Sequence, residues 1–388
     1  MAGPGRDPDQ LLSAMEFINP HRPGRTTWSY RVIPASDPRP HPIGHPALPL
    51  DVEIVAQGTA KDLSEFHRAT FSTSFSVLAD GALVHEWYGD RCGPRDLFLG
   101  ASATKSVLAH LVGVAVRSGA LDLATTVGDH LPELRASGYA RVPVRALLTM
   151  TSGMDWVEDH RDPTGAATAL VRTFTAGGSS RALLAGIGAR WPPGTRYEYC
   201  TADSQVLDWV RERATGAPFR RALADLWRAM GCTEDATVVV DGDGVALAGG
   251  GLAAVAADWA RVGMLQVDGV LPGGMRLLDP EWVEHVSRPS LPFLRPGRLP
   301  SALSAHVGFG YHWWPLDAPG DLCGSRVAAD GSRGQFVYVD RPRRTVVVKT
   351  SAWAYADPLR DAQCRDLTYR TLPVIAASTA TQGEVVQR

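Results

Sequence analysis

The sequence is short of lysine. Of its 39 basic residues only Lys61, Lys105 and Lys349 are lysines, and the rest are arginines. A bias toward Arg, Gly and Ala accounts for the shortage, so a lysine kept where arginine would serve a surface equally well draws attention to its amine. Cysteine is scarce too. Cys92, Cys200, Cys232, Cys323 and Cys364 are scattered, odd in number and without a Cys-x-x-Cys pair, which argues against a disulfide framework and a zinc knuckle. No sign of charge dominates: the formal net charge of −2 gives no pull toward nucleic acid or an anionic membrane. No apolar run reaches the roughly 18 residues of a transmembrane helix. The first residues lack the basic start and apolar stretch of an export signal. These absences lead to the expectation of a reduced, cytoplasmic protein with no nucleic-acid or membrane partner and an open oligomeric state.

What is present is ordinary for a globular chain: 45% hydrophobic and 21% charged residues over 388 positions. That length exceeds the roughly 100–200 residues of one domain, so two packed lobes are expected. Residues 1–50 carry Pro20, Pro23, Pro34, Pro38, Pro40, Pro42, Pro46 and Pro49. Proline lacks an amide donor and fixes φ, so this segment reads as an extended arm outside the core. Two hairpins follow from their turn and strand signals: 75–79 with 82–88 around Asp80-Gly81, and 335–339 with 345–349 around residues 340–344. Between them, helices are expected over 102–118, 142–150, 182–187, 204–213, 219–230, 252–265 and 280–286. The order points to an α+β fold in which residues 51–120 and 236–388 form a sheet-bearing lobe. Residues 121–235 form an inserted all-helical lobe.

The chemistry concentrates at Ser102-Ala103-Thr104-Lys105, at the start of the strongest helix. Residues i and i+3 share a helix face, so hydroxyl and amine can meet. A serine hydroxyl needs a base to become a nucleophile. Lysine supplies one if burial lowers its pKa, whereas arginine does not lose its proton. The same pair also fits a helix cap beside a solvated lysine. Downstream, Trp191 to Asp203 places Tyr199 and Thr201 after a Pro-Gly turn and before a helix. A tyrosine beside such a lysine can pass a proton to a leaving group, although a core aromatic fits that position as well.

Other chemistries fit less well. Gly100-Ala101-Ser102-Ala103-Thr104 lacks the last glycine of an α/β-hydrolase elbow. His41 and His45 flank proline and glycine, which remove the helix that a metal-ligand pair at that spacing uses. Gly249-Gly250-Gly251 matches neither a dinucleotide fingerprint nor a P-loop. No metal and no organic cofactor is expected.

Several ordered motifs carry a resemblance. They are Leu99 to Ser106, Leu147 to Gly153, Pro193 to Thr201, Ala248 to Ala254 with Asp258 to Gly263, and Gly308 to Trp314. Over about residues 70–370 the chain resembles the serine β-lactamase and penicillin-binding-protein superfamily, in the class C-like branch of 6-aminohexanoate-dimer hydrolases and related esterases. The resemblance implies a β-lactamase-like fold: an antiparallel sheet flanked by helices. It also implies Ser102 as nucleophile, Lys105 as base and Tyr199 as proton relay. Thr201 stands where relatives often carry Asn or Ser. The family's Lys-Thr-Gly or His-x-Gly strand has its expected counterpart at Gly331-Ser332-Arg333-Gly334-Gln335, which contains neither Lys nor His. There Arg333 either meets a substrate carboxylate or points to solvent, and amides near Gly334 or Gln335 are the candidates to complete an oxyanion hole. Lys349-Thr350-Ser351 mimics the triplet but reads as an ordinary strand end. Trp156 and Trp314 are expected pocket walls. Asp155, Glu158, Asp159 and Asp162 offer a site for a cationic substrate end, but read by default as a solvated loop.

The implied activity is hydrolysis of a small amide or ester through an acyl-serine. Acyl transfer from the same acyl-serine is an alternative. So is a β-lactamase, a DD-peptidase or a non-catalytic sensor. The intact Ser-Lys-Tyr set argues against the sensor, and the absent export signal against the enzymes of the cell wall.

Overall fold

Runs of β-branched and aromatic residues near both ends of the chain assemble one sheet, as a computed structural model shows. It describes residues 26, 28–44, 54–56, 59–299, 307–316, 324–354 and 357–383. In chain order the strands are β1 (Tyr30–Ile33), β2 (Ile54–Ala56), β3 (Thr59–Lys61), β4 (Ser72–Ala79), β5 (Ala82–Tyr88) and β6 (Phe98–Leu99). They continue with β7 (Ala236–Val239), β8 (Leu252–Ala254), β9 (Trp314–Pro315), β10 (Arg326–Gly331), β11 (Gln335–Asp340) and β12 (Thr345–Ser351). The helices are α1 (Leu63–Ala69), α2 (Thr104–Arg117), α3 (Val127–His130), α4 (Val144–Leu148), α5 (Ala166–Thr175) and α6 (Ser180–Ala185). After them come α7 (Thr201–Thr215), α8 (Phe219–Met230), α9 (Ala256–Asp268), α10 (Pro280–Ser287) and α11 (Pro358–Gly383).

The main sheet is antiparallel in the order β5-β4-β12-β11-β10-β9, so the two ends of the chain meet where β4 pairs with β12. Both expected hairpins form. Asp80 and Gly81 both take positive φ (52° and 81°), the pair of conformations that a tight two-residue turn needs. Side chains alternate across β12: Val346 and Val348 join the core on the α9 side, while Val347 joins the cluster with Leu372 and Ile375 of α11. Gly263 of α9 lets that helix lie close to Val337 and Val346. A smaller sheet, in the order β1-β7-β8-β6, braces the start of α2. The fold is thus α+β, with antiparallel sheets and many helices around them.

Local details differ from the sequence reading. The described part of the proline-rich segment is not all outside the core: β1 pairs with β7 and Ile33 is fully buried. The rest of residues 1–50 lies outside the described residues. The expected helix over 252–265 begins as strand β8, because Leu252 to Ala254 pair with β6 and β7 before the helix starts at Ala256. Lys349 lies near the end of β12, as expected, but it is fully buried. It follows Val347 onto the α11 face, where its amine donates to the Thr70 carbonyl (3.4 Å) and to the Ser351 hydroxyl. Burial pulls its pKa down to about 7.

The long C-terminal helix is pinned to the sheet by charge. Asp330 of β10 accepts from Arg365 and from the Tyr369 hydroxyl (2.7 Å), both on α11. Trp353 donates to Asp361 of the same helix at 2.7 Å. Removing one member of a buried pair leaves the other charge uncompensated. Arg365→Met is therefore expected to cost about 3–5 kcal/mol of unfolding free energy, read from the urea midpoint and slope. A loss below about 1 kcal/mol would place the pair among ineffective surface contacts.

Candidate active site

Ser102 lies in a short 3-10 turn, Ala101–Ala103, that leads into α2. The helix expected from residue 102 thus takes its first step more tightly wound. Ala101 has φ of 45°, a left-handed conformation that an alanine adopts at a cost. The surroundings hold it there. Gly100 donates to the Leu252 carbonyl (2.9 Å), and Leu252 in turn donates from its amide to Thr104 Oγ1 (3.1 Å). A side chain at Gly100 would strike the ring of Trp259, whose indole is fixed by the Phe98 carbonyl. Ser102 stays half-buried at the surface of this turn.

One helical turn on, Lys105 is buried to 2% exposure. Its amine contacts Ser102 Oγ at 3.0 Å, Thr201 Oγ1 at 3.1 Å and the Gly249 carbonyl at 2.6 Å. All of these are neutral oxygens. Burial lowers the amine's pKa to about 8, against the opposing charge of Glu158 and a smaller effect of Cys200. Tyr199 covers it, with the amine 5.1 Å from the ring centre. Burial and the charge of Glu158 push the phenol pKa upward, and a hydrogen bond with Ser102 opposes them. The ring stacks on Trp314 (5.8 Å, 15°) and meets Phe309 edge-on. The structure therefore brings Ser102, Lys105, Tyr199 and Thr201 together, with Trp314 behind the tyrosine.

Glu158 was not singled out by the sequence, where it is one of four carboxylates in a short loop. It is not solvated. Its Oε1 accepts from the Thr201 hydroxyl (2.5 Å) and from His160 Nε2 (3.1 Å). Its Oε2 accepts from the Thr201 amide (2.8 Å) and the Trp156 indole (2.6 Å). Burial alone would raise its pKa, but the hydrogen bond and charge of His160, the charge of Lys105 and the Thr201 hydroxyl outweigh it and hold the pKa at about 2. Trp156, expected as a pocket wall, thus anchors this carboxylate. Gly249 is the other residue overlooked. A side chain there would crowd Thr201 and Ser204 and touch the Lys105 amine, so glycine leaves room for the close approach of its carbonyl.

The Gly331–Gln335 element is the loop of the β10–β11 hairpin. Gly331 abuts the turn that carries Ser102: a side chain on it would collide with the Gly100 carbonyl. The residues beyond it turn away. The Gly334 amide donates to the Gly331 carbonyl (3.2 Å), and the Gly334 Cα faces the ring of Trp353. The Gln335 side chain donates to the carbonyls of Ser332, Arg333 and Ser351. Arg333 is buried at the loop apex with φ of 61°. Gly334 and Gln335 thus brace the loop, and Gly331 makes the approach to Ser102.

The sequence matches the Beta-lactamase family model over residues 54–368. It is 32% identical over 324 residues to the 6-aminohexanoate-dimer hydrolase of Paenarthrobacter ureafaciens, covering 80% of this chain and 81% of that protein. A candidate 6-aminohexanoate-dimer hydrolase from Bacillus anthracis shares the fold at a TM-score of 0.78 and 19% identity, over 98% of this chain and 95% of that one. A hydrolase with promiscuous acyltransferase activity aligns at a TM-score of 0.60 and 17% identity, over 79% of this chain and 95% of that one. A family match spanning most of the sequence and a relative 32% identical over four-fifths of the chain lead to one assignment: the chain belongs to the β-lactamase family, in the branch of the 6-aminohexanoate-dimer hydrolases, and is a hydrolase.

Proposed function

We propose that this hydrolase cleaves a small amide or ester through a covalent acyl-Ser102 intermediate. The observation that carries the reading is the 3.0 Å contact between Ser102 Oγ and a buried Lys105 amine whose hydrogen-bond partners are all neutral. The two titrating groups beside Ser102 are driven apart: the amine down to about 8, the phenol upward. Lys105 is therefore the base and Tyr199 remains a protonated phenol.

Ser102 Oγ attacks the substrate carbonyl and its proton passes to Lys105. The amide of Ser102, at the mouth of α2, suits the developing oxyanion. Collapse breaks the bond to the amine or alcohol, which takes its proton from the Tyr199 hydroxyl as Lys105 replenishes it. Water then attacks the acyl ester and yields its proton to Lys105. The collapse of that second intermediate returns a proton to Ser102. The relative's name favours an amide as the natural substrate, since a dimer of 6-aminohexanoate is joined by an amide bond.

Because only the neutral amine accepts a proton, kcat/KM is expected to rise with pH through about 8, the value to which Lys105 is lowered. Lys105→Arg keeps the charge but removes the base, and a loss of at least about 100-fold is expected at every pH. Retention of turnover in that variant, measured on a p-nitrophenyl ester, would overturn the base assignment. For Tyr199→Phe the expected loss is about 100-fold or more on an amide and under about 10-fold on an activated ester, because an amine leaves poorly without a proton. Equal losses on both substrates would count against the relay.

A further inference from the structure

A neutral amine has two N–H bonds and one lone pair, and a base works only if the lone pair faces the proton it must take. Lys105 has neighbours in three directions: Ser102 Oγ, Thr201 Oγ1 and the Gly249 carbonyl. The carbonyl only accepts, so one N–H points to it. Thr201 has a single hydroxyl proton, and at 2.5 Å from Glu158 Oε1 that proton is committed to the carboxylate. The threonine oxygen is left as an acceptor toward Lys105, which uses the second N–H. Ser102 is then the one neighbour able to donate, and the lone pair faces it.

We propose that Glu158, acting through the Thr201 hydroxyl, is a positioning residue that aims the Lys105 lone pair at Ser102. The inference rests on the reading of Lys105 as base. It also gives Thr201 a defined function: threonine can orient the amine here because a carboxylate stands behind it to take its proton.

A purely structural role for Glu158 is the rival. The carboxylate accepts the Thr201 amide at the first turn of α7 (2.8 Å), where Cys200 offers no side-chain cap. An anion there stabilises a helix whatever the chemistry nearby. The two roles separate by charge. Glu158 raises the Lys105 pKa while burial lowers it. Around the amine stand Glu158, Cys200, Tyr199 and His312, the last with its pKa lowered to about 3 by burial and by Lys105. Facing the carboxylate are His160, Lys105, Tyr197, Tyr199, Cys200 and Asp203. Loss of the Glu158 charge therefore moves the Lys105 titration to lower pH.

The test is the pH dependence of kcat/KM on a p-nitrophenyl ester for the full chain, with folded fraction checked by thermal denaturation. Glu158→Gln is expected to lower the plateau by about 10- to 100-fold, the cost of a misdirected reacting group, and to move the acidic limb to lower pH. Thr201→Val keeps the charge and breaks the link. Its plateau falls by a similar factor, and its limb does not move to lower pH. A Glu158→Gln plateau within about twofold of the wild type, or a lowered plateau with an unmoved limb, would overturn the proposal. If Glu158→Gln does not fold, Thr201→Val decides: an unchanged plateau overturns the proposal and a lowered one supports it. Lys105→Arg run in parallel keeps the two readings distinct, since turnover in that variant defeats the base assignment itself, whereas inactive Lys105→Arg beside unaffected Glu158 and Thr201 variants defeats only the positioning role.

Discussion

Everything in the site depends on keeping one primary amine out of water. In water Lys105 would hold its proton and the 3.0 Å contact with Ser102 would be a hydrogen bond without consequence. Inside the protein it has neutral oxygens for partners and an aromatic ring above it. Burial then favours the uncharged form over the attraction of a carboxylate one residue removed. The balance leaves an amine whose pKa is lowered to about 8. A carboxylate in direct contact would have fixed the amine as a cation. Thr201, placed between the two, separates charge from base.

The scaffold maintains this through close backbone approaches at three glycines. Gly100 lies on Trp259, Gly331 on the Gly100 carbonyl, and Gly249 on Thr201 and the amine. They join three distant stretches, the β6–α2 junction, the loop before β8 and the end of β10, into one wall around Ser102. Charge holds the far side. Asp330, next to Gly331, is tied to α11 by Arg365 and Tyr369. The C-terminal helix therefore supports the strand that approaches the Ser102 turn.

Much of this was legible in the sequence, and the divide is physical. Ser102 and Lys105 are a local pair: helix geometry alone brings them together, and the rarity of lysine makes the second stand out. Tyr199 and Thr201 carry the local signature of a Pro-Gly turn before a helix. The two hairpins showed in their turn residues. Glu158 has no such signature. It sits among Asp155, Asp159 and Asp162, and its role comes from donors that α7 brings to it across 43 positions. Gly249 contributes a carbonyl, which no residue type advertises. The Gly331–Gln335 loop showed in its glycines, but only the folded hairpin shows that Gly331 packs on the Gly100 carbonyl while Gly334 faces Trp353. Strand β8 was mistaken for helix because a short run of leucine and alanine fits either period.

The most direct test of the central claim is the mass of the protein itself. On brief exposure to a p-nitrophenyl ester followed by acid quenching, the intact chain should gain the mass of one acyl group, and peptide mapping should place it on Ser102. An adduct confined to another residue, or steady turnover with no acyl adduct at any quench time together with full activity of Ser102→Ala, would contradict the account.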